Sequence, residues 1–298
     1  MIRGTKRRLS RWLMARRVAR YGNNHSAAVN RHYLDYHRAA RAAYRPAHPG
    51  EAADPAIAES ARKLAEDGFL VVPPPAGFDG AALKARVDAA FADKSNTYDS
   101  YPGLLRLIDG AELFPDAIDL LKGRVERIVE TLLGSHFKLF LATFYRTVPS
   151  DAVPESSFLW HFDNAPDLQL KAMIYLDDVS EETGAFRFKS KAVSEEARAA
   201  GFWHRDDYER GRAVFENEAT SHVIEAAAGT VILFQPGRVV HKATAPKRDH
   251  RDVAVLVLNP SKIYWREHLA RNRHLISTNG GLCLDLETDR PENIGYRY

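Results

Sequence analysis

The chain has 298 residues, 45% hydrophobic and 27% charged, the balance of a globular domain and not of a disordered or fibrous chain. A single cysteine, Cys283, excludes an intrachain disulfide, a four-cysteine zinc site and a CxxC redox motif. The net charge of +3 is unevenly placed: the opening MIRGTKRRLSRWLMARRVAR holds eight Lys/Arg and no acid, and without it 34 basic side chains face 39 acidic ones.

No apolar run approaches the roughly 20 residues that a membrane-crossing helix needs, so the expected location is cytoplasmic. Leu9, Trp12, Leu13, Met14 and Val18 are too scattered for a secretory core. The opening segment reads as a solvated basic leader. It could also form an amphipathic helix resting on an anionic membrane, or serve as an organelle transit peptide. No nucleic-acid partner is expected, because nothing beyond charge supports one.

Residues 1–50 read as a basic N-terminal extension ending in the breaker RPAHPG, and 51–298 as one domain. IAESARKLAEDGFLVVPPP predicts a helix, a stop at Gly68 and a short strand ended by prolines. A second helix follows Asp79. A third is predicted within AELFPDAIDLLKGRVERIVETLLG, with Leu120, Leu121, Val125, Ile128 and Leu132 at helical spacing. Beyond Gly134 the pattern changes to short strands: FKLFLATFYRTV, SFLWHFD, LQLKAMIYLDDV, GAFRF, SHVIEA, GTVILFQPG, VVHKATA and DVAVLVLNP. The stretch 192–215 is polar and reads as helix or loop. Helices first and strands after predict a β-sandwich or barrel with helices packed outside.

Three His-x-Asp pairs stand out: His161/Asp163, His204/Asp206 and His250/Asp252. On a strand such residues share a face and can hold one metal together, but the pattern alone is common. Two histidines and one carboxylate on one face of an iron(II) leave its other face open. His241, 80 residues after His161 and behind GTVILFQPGRVV, supplies the second histidine. Arg251, ten residues further, opens a strand and has the fork geometry to clamp a carboxylate. His204/Asp206 lies in a charge-dense segment and reads as a surface loop. His250/Asp252 has no third ligand in order and alternates away from Arg251.

WHFD, KAMIYLDDVSEETGAF, GTVILFQPGRVVH and the following arginine occur in the order and spacing of the phytanoyl-CoA dioxygenase-like family of Fe(II)/2-oxoglutarate oxygenases, and the run from about 140 to 260 resembles that family. The resemblance implies a mainly β fold with flanking helices: a double-stranded β-helix, or distorted jelly roll, with its core at about 135–262. It implies His161, Asp163 and His241 as iron ligands and Arg251 as the partner of the 2-oxoglutarate 5-carboxylate. Fe(II), 2-oxoglutarate and O2 follow as cofactor and cosubstrates, with hydroxylation of a small molecule or lipid and release of succinate and CO2. Lys171 alternates with Gln169, Met173 and Tyr175 and is expected on the cavity face, touching cosubstrate or substrate. Its alternative is a surface lysine. Trp160, Phe162 and Asn164 are expected near the substrate. Gly184 is followed by AFRFKSKAV where the family often has a Gly-Ser-His stretch, so no substrate carries over. Two other readings keep the β fold: a cupin-like metalloenzyme without 2-oxoglutarate, and a non-catalytic binding protein.

Overall fold

The computed structural model describes residues 27–46, 54–152, 156–163, 165, 168–202 and 208–272. The basic leader, His204/Asp206, Asn164 and Cys283 lie outside the described residues. The chain enters through α1 (Ala27–Ala43), whose His37 ring nitrogen lies 2.6 Å from the Leu133 carbonyl, so this part of the expected extension packs on the domain. Asp54 caps α2 (Pro55–Asp67) by accepting from Ala56 N–H, and Gly68 ends it with φ 81°. A Cβ at Gly68 would collide with Val239, in the segment that leads to His241. Helix stop and site scaffold therefore share one glycine.

β1 (Phe69–Val72) and α3 (Gly80–Ala92), capped by the Asp79 side chain, follow as expected. A hairpin that the sequence did not suggest comes next, β2 (Thr97–Tyr101) and β3 (Leu104–Leu107). The single third helix is corrected to three pieces: turns at Gly110–Leu113 and Pro115–Asp119, then α4 (Arg124–Leu133). Pro115 forces Phe114 out of helical geometry, and Gly123 at φ 68° breaks the chain again.

The remaining elements are β4 (His136–Thr147), β5 (Leu170–Tyr175), β6 (Phe186–Lys189), α5 (Lys191–Ala199), α6 (Tyr208–Phe215), β7 (Ser221–Ile224), β8 (Val231–Phe234), β9 (His241–Lys242), β10 (Arg251–Ser261) and α7 (Trp265–Asn272). A seven-stranded sheet runs β1-β8-β5-β10-β4-β3-β2, and a smaller one β7-β6-β9. The segment around His161 joins β9 through one bridge, so SFLWHFD and VVHKATA contribute less strand than their pattern suggests.

Alternation sorts β10 onto two cores. Ala254, Leu256 and Leu258 join Leu64, Val87 and Ile128 under the helices. Val253 and Val255 join Met173, Tyr175, Ile232 and Phe234 against Phe186 and Phe188 of the smaller sheet. β10 is buried along its whole length because both faces are covered. Two facing antiparallel sheets with helices outside make the double-stranded β-helix, a distorted jelly roll. No helix among the described residues is long and apolar enough to cross a membrane.

Candidate metal centre

His161 and His241 exchange both backbone hydrogen bonds, each 3.0 Å, across the bridge between their segments. Directly opposed residues share a face, so their rings come to 4.3 Å between centroids. His161 Nδ1 lies 2.7 Å from Leu159 O, and His241 Nδ1 lies 2.9 Å from Val239 O. A carbonyl only accepts. Each Nδ1 therefore carries the proton and each Nε2 presents a lone pair, the tautomer a metal ligand needs.

Asp163 is placed by its own N–H, which donates to Pro236 O at 2.9 Å. Its loop lies against the QPGR turn so closely that a Cβ at Gly237 would sit 2.8 Å from Ala165 O. Asp163 Oδ1 is 3.5 Å from His161 Nε2 and Oδ2 is 3.7 Å from His241 Nε2. The three ligand atoms lie within 4.8 Å of one another, with both imidazoles buried. Lys171 on β5 reaches the same carboxylate, Nζ to Oδ2 at 2.5 Å. That contact is ionic, because no donor is aligned for a hydrogen bond to this buried Oδ2. Burial pushes the Asp163 carboxyl up, but Lys171 and the two imidazoles outweigh it and hold the group well below the usual carboxylate range. Burial, helped by His161, pushes His241 well below its usual value against the pull of Asp163. A charged carboxylate beside two imidazoles, each with its Nδ1 turned to a carbonyl, is the donor set of a first-row divalent metal. Phe234 and Phe186 crowd His241 at 5.1 and 5.7 Å between centroids, making its other side apolar.

Trp160 and Phe162 alternate away from the ligands. They pack with Ala197, Phe202, Phe215 and Val240 in a third small core below α5 and α6. Arg198 stacks over Phe162 at 4.3 Å, and Lys189 and Lys242 lie over Trp160 at 4.7 and 4.6 Å. Lys189 is fully buried and donates to Asn217 O, Thr220 Oγ1 and Ser221 Oγ. Burial pushes its ammonium down to about 8. It ties β6, β7 and the tryptophan beside His161 together. Nothing in the pattern FRFK announces this role, since lysine in a strand reads as solvated.

Arg251 opens β10 on the inner face, fully buried. It donates to the carbonyls of Gly184 and Thr244 and, at 3.2 Å, to Thr147 Oγ1. Among the described residues no carboxylate pairs with it. The guanidinium is held by neutral acceptors alone, and its Nε has no hydrogen-bond partner.

The rival pair His250/Asp252 gains the third ligand that the sequence seemed to deny it. Asp88 of α3 brings its oxygen within 4.8 Å of theirs. This second cluster already holds its cations. Arg146 donates to both Asp252 oxygens at 2.8 and 2.6 Å and to Asp88 at 2.5 Å, and Lys84 pairs with Asp88 at 2.9 Å. Asp177 stands against the cluster, and burial together with Asp252 raises its carboxyl to about 7.

No family model matches the chain, and no curated protein matches it significantly. Solved structures share the fold. The carbocyclase SnoK from nogalamycin biosynthesis, described as non-heme and alpha ketoglutarate dependent, is 20% identical over 72% of this chain and 89% of its own, with a TM-score of 0.51. The epimerase SnoN, crystallised with Fe3+, alpha ketoglutarate and nogalamycin RO, is 20% identical over 70% of this chain and 85% of its own, with a TM-score of 0.50.

Proposed function

We propose that the chain is an Fe(II)/2-oxoglutarate-dependent oxygenase that oxidises a small molecule. Within that class, its motif order resembles the phytanoyl-CoA dioxygenase-like enzymes, and the oxidation is a hydroxylation. The observation that carries this reading is the pairing of the triad with Arg251 on one inner surface. The triad offers a metal two oriented lone pairs and one carboxylate, and among the described residues the buried arginine has no counter-ion. Two fold neighbours at 20% identity, described as alpha ketoglutarate dependent or crystallised with alpha ketoglutarate and iron, support it.

His161, Asp163 and His241 would hold the iron from one side. Arg251 would take the 5-carboxylate of 2-oxoglutarate, exchanging weak carbonyl contacts for a charge-assisted pair. Lys171 adds a positive charge beside the metal position, suited to the other carboxylate. When bound, iron and cosubstrate supply the oxidising chemistry, in which O2 is consumed, 2-oxoglutarate is converted to succinate and CO2, and a substrate C–H bond is oxidised. The protein's contribution is orientation and a dry wall of Phe186, Phe188 and Phe234. A cupin-like enzyme without 2-oxoglutarate would leave the buried Arg251 charge unexplained. A binding protein without turnover would not need both imidazoles fixed in the metal-ready tautomer.

The test is an anaerobic titration of the protein with Fe(II) and then 2-oxoglutarate, reading the visible metal-to-ligand charge-transfer band. Wild type should develop the band and His161→Ala should not. Arg251→Lys should need about tenfold more 2-oxoglutarate, the cost of a lost bidentate contact. A folded wild-type protein that binds iron but shows no band overturns the reading.

A further inference from the structure

The inner face of the large sheet carries a cation that the oxygenase reading leaves unused. Register places Tyr98, Arg106, Tyr145, Val253 and Tyr175 in one row across β2, β3, β4, β10 and β5. Opposed residues share a face, and Val253 and Tyr175 belong to the inner core, with Tyr145 packed against it. Parity on β3 agrees: Leu105 and Leu107, on either side of Arg106, pack in the outer core under the helices. Arg106 therefore points to the side of the sheet that holds the triad.

Arg106 is half-buried, and its Nε is shut off from solvent with no hydrogen-bond partner. Among the described residues it has no ion pair. The other arginines on the strands of the two sheets are matched: Arg146 by Asp252 and Asp88, Arg187 by Glu181 and Glu218, Arg251 by carbonyls and a hydroxyl. The aromatic contacts of the smaller sheet fall on β1 and β8, through Phe69 and Phe234, and Asp163 meets β5 at Lys171. β4, β3 and β2 lie on the other side of β10 from these contacts. Counting strands and residues puts Arg106 roughly 20 Å from Lys171 between Cα atoms, and both side chains are long. That gap suits a small molecule with its reacting carbon at the metal and its far end at Arg106.

We propose, resting on the oxygenase reading, that Arg106 sets substrate class: it receives an oxyanion, carboxylate or phosphate, at the end of the substrate remote from the metal. Tyr98 and Tyr145 flank it and supply ring surface and hydroxyl donors. A guanidinium that has lost part of its hydration without gaining a partner costs stability, and an oxyanion removes that cost through a bidentate pair.

The experiment uses matched probes: octanoate, phenylacetate, octyl phosphate and phenyl phosphate, each against its neutral amide or alcohol, with octylamine as the cation. Binding is measured by calorimetry on full-length wild type, Arg106→Gln and Arg106→Glu, at saturating 2-oxoglutarate with Fe(II) under nitrogen, and again on the metal-free protein. The expected result is that anions bind wild type in preference to their neutral partners. Arg106→Gln should weaken the anions about tenfold or more while leaving the neutral probes unmoved, and Arg106→Glu should turn the preference to octylamine. A structural role would shift charged and neutral probes alike. No anion preference in wild type, or one that survives in Arg106→Gln, overturns the proposal. Preference for carboxylates or for phosphates names the group. Anion binding that persists without Fe(II), beside a failed charge-transfer titration, would sink the oxygenase reading and leave Arg106 standing.

Discussion

His161/Asp163/His241 and Asp88/His250/Asp252 each gather three ligand atoms within 4.8 Å, and each grows from a His-x-Asp pair. In the first, two imidazoles are turned by Leu159 and Val239 so that both Nε2 atoms face the position beside one carboxylate, with Lys171 the one Lys or Arg touching it among the described residues. In the second, four carboxylates counting Asp177 and Asp249 surround one imidazole, and Arg146 and Lys84 already occupy oxygens of Asp252 and Asp88. Proximity of ligands is therefore a weak criterion. What separates a metal site from an ion-pair network is which cation the carboxylates already hold and where the lone pairs point.

The largest effect should come from the first cluster. His161→Ala is expected to weaken Fe(II) or Co(II) binding by more than roughly 100-fold, beyond the usual cost of changes outside the ligand shell. Asp88→Asn should leave the affinity unchanged. Calorimetry on both variants decides, and the reverse pattern would invert the comparison. Next comes Arg146→Ala, which strands the fully buried Asp252 and should destabilise the fold by about 3 kcal/mol in urea unfolding. A loss under about 0.5 kcal/mol would mean the second cluster is not held by Arg146.

Asp177→Asn should give a smaller, pH-dependent effect. Its carboxyl rises from 3.8 to about 7 on folding, so the folded state keeps a proton that the unfolded chain releases. That contribution to stability is full below about pH 4 and is lost as pH climbs to 7. Asparagine keeps an oxygen for the Asp252 N–H, 3.3 Å from Asp177 Oδ1, without the charge. The variant should exceed wild type by about 2 kcal/mol at pH 8 and lose that lead toward pH 5. Equal melting curves at both pH values would show that Asp177 is ordinary.

The grouping of His161, Asp163 and His241 left short-range signals in the sequence: a period of two within HFD, a glycine-led strand ahead of His241, and an arginine ten residues beyond it. The second cluster left fewer. Asp88 lies four residues after Lys84 on a helix, and such a pair reads as a solvated surface contact. Only tertiary packing carries it to β10. The β2–β3 hairpin escaped for a related reason. TYDSY and LLRL are short, and their polar residues hide the alternation, as is usual in strands near a sheet edge. Trp160 and Phe162 are a different case. Alternation already turned them from His161 and Asp163, and their aromatic character suggested a substrate wall where there is a supporting core.

The finest comparison concerns one proton. Asp88, Asp177 and Asp252, with the exposed Asp249 2.7 Å from His250 Nδ1, carry four negative charges when ionised against Arg146 and Lys84, so a proton on His250 or Asp177 lowers the excess. His250 Nε2 lies 3.4 Å from Asp88 and from Asp252 and 3.8 Å from Asp177, and Asp252 raises its ring above the usual 6.5. A raised histidine stabilises fully below pH 6.5 and loses that contribution as pH passes its folded value. The two groups then share one titration, and neither owns it. His250→Gln should cost under about 1 kcal/mol at pH 6, because the ring is partly solvated, and nothing at pH 9. Combined with Asp177→Asn, it should flatten stability between pH 6 and 8 more than either change alone. Metal affinity at the triad should not move in any of the three proteins. A shift there would show that the two clusters communicate through the neighbours Arg251 and Asp252.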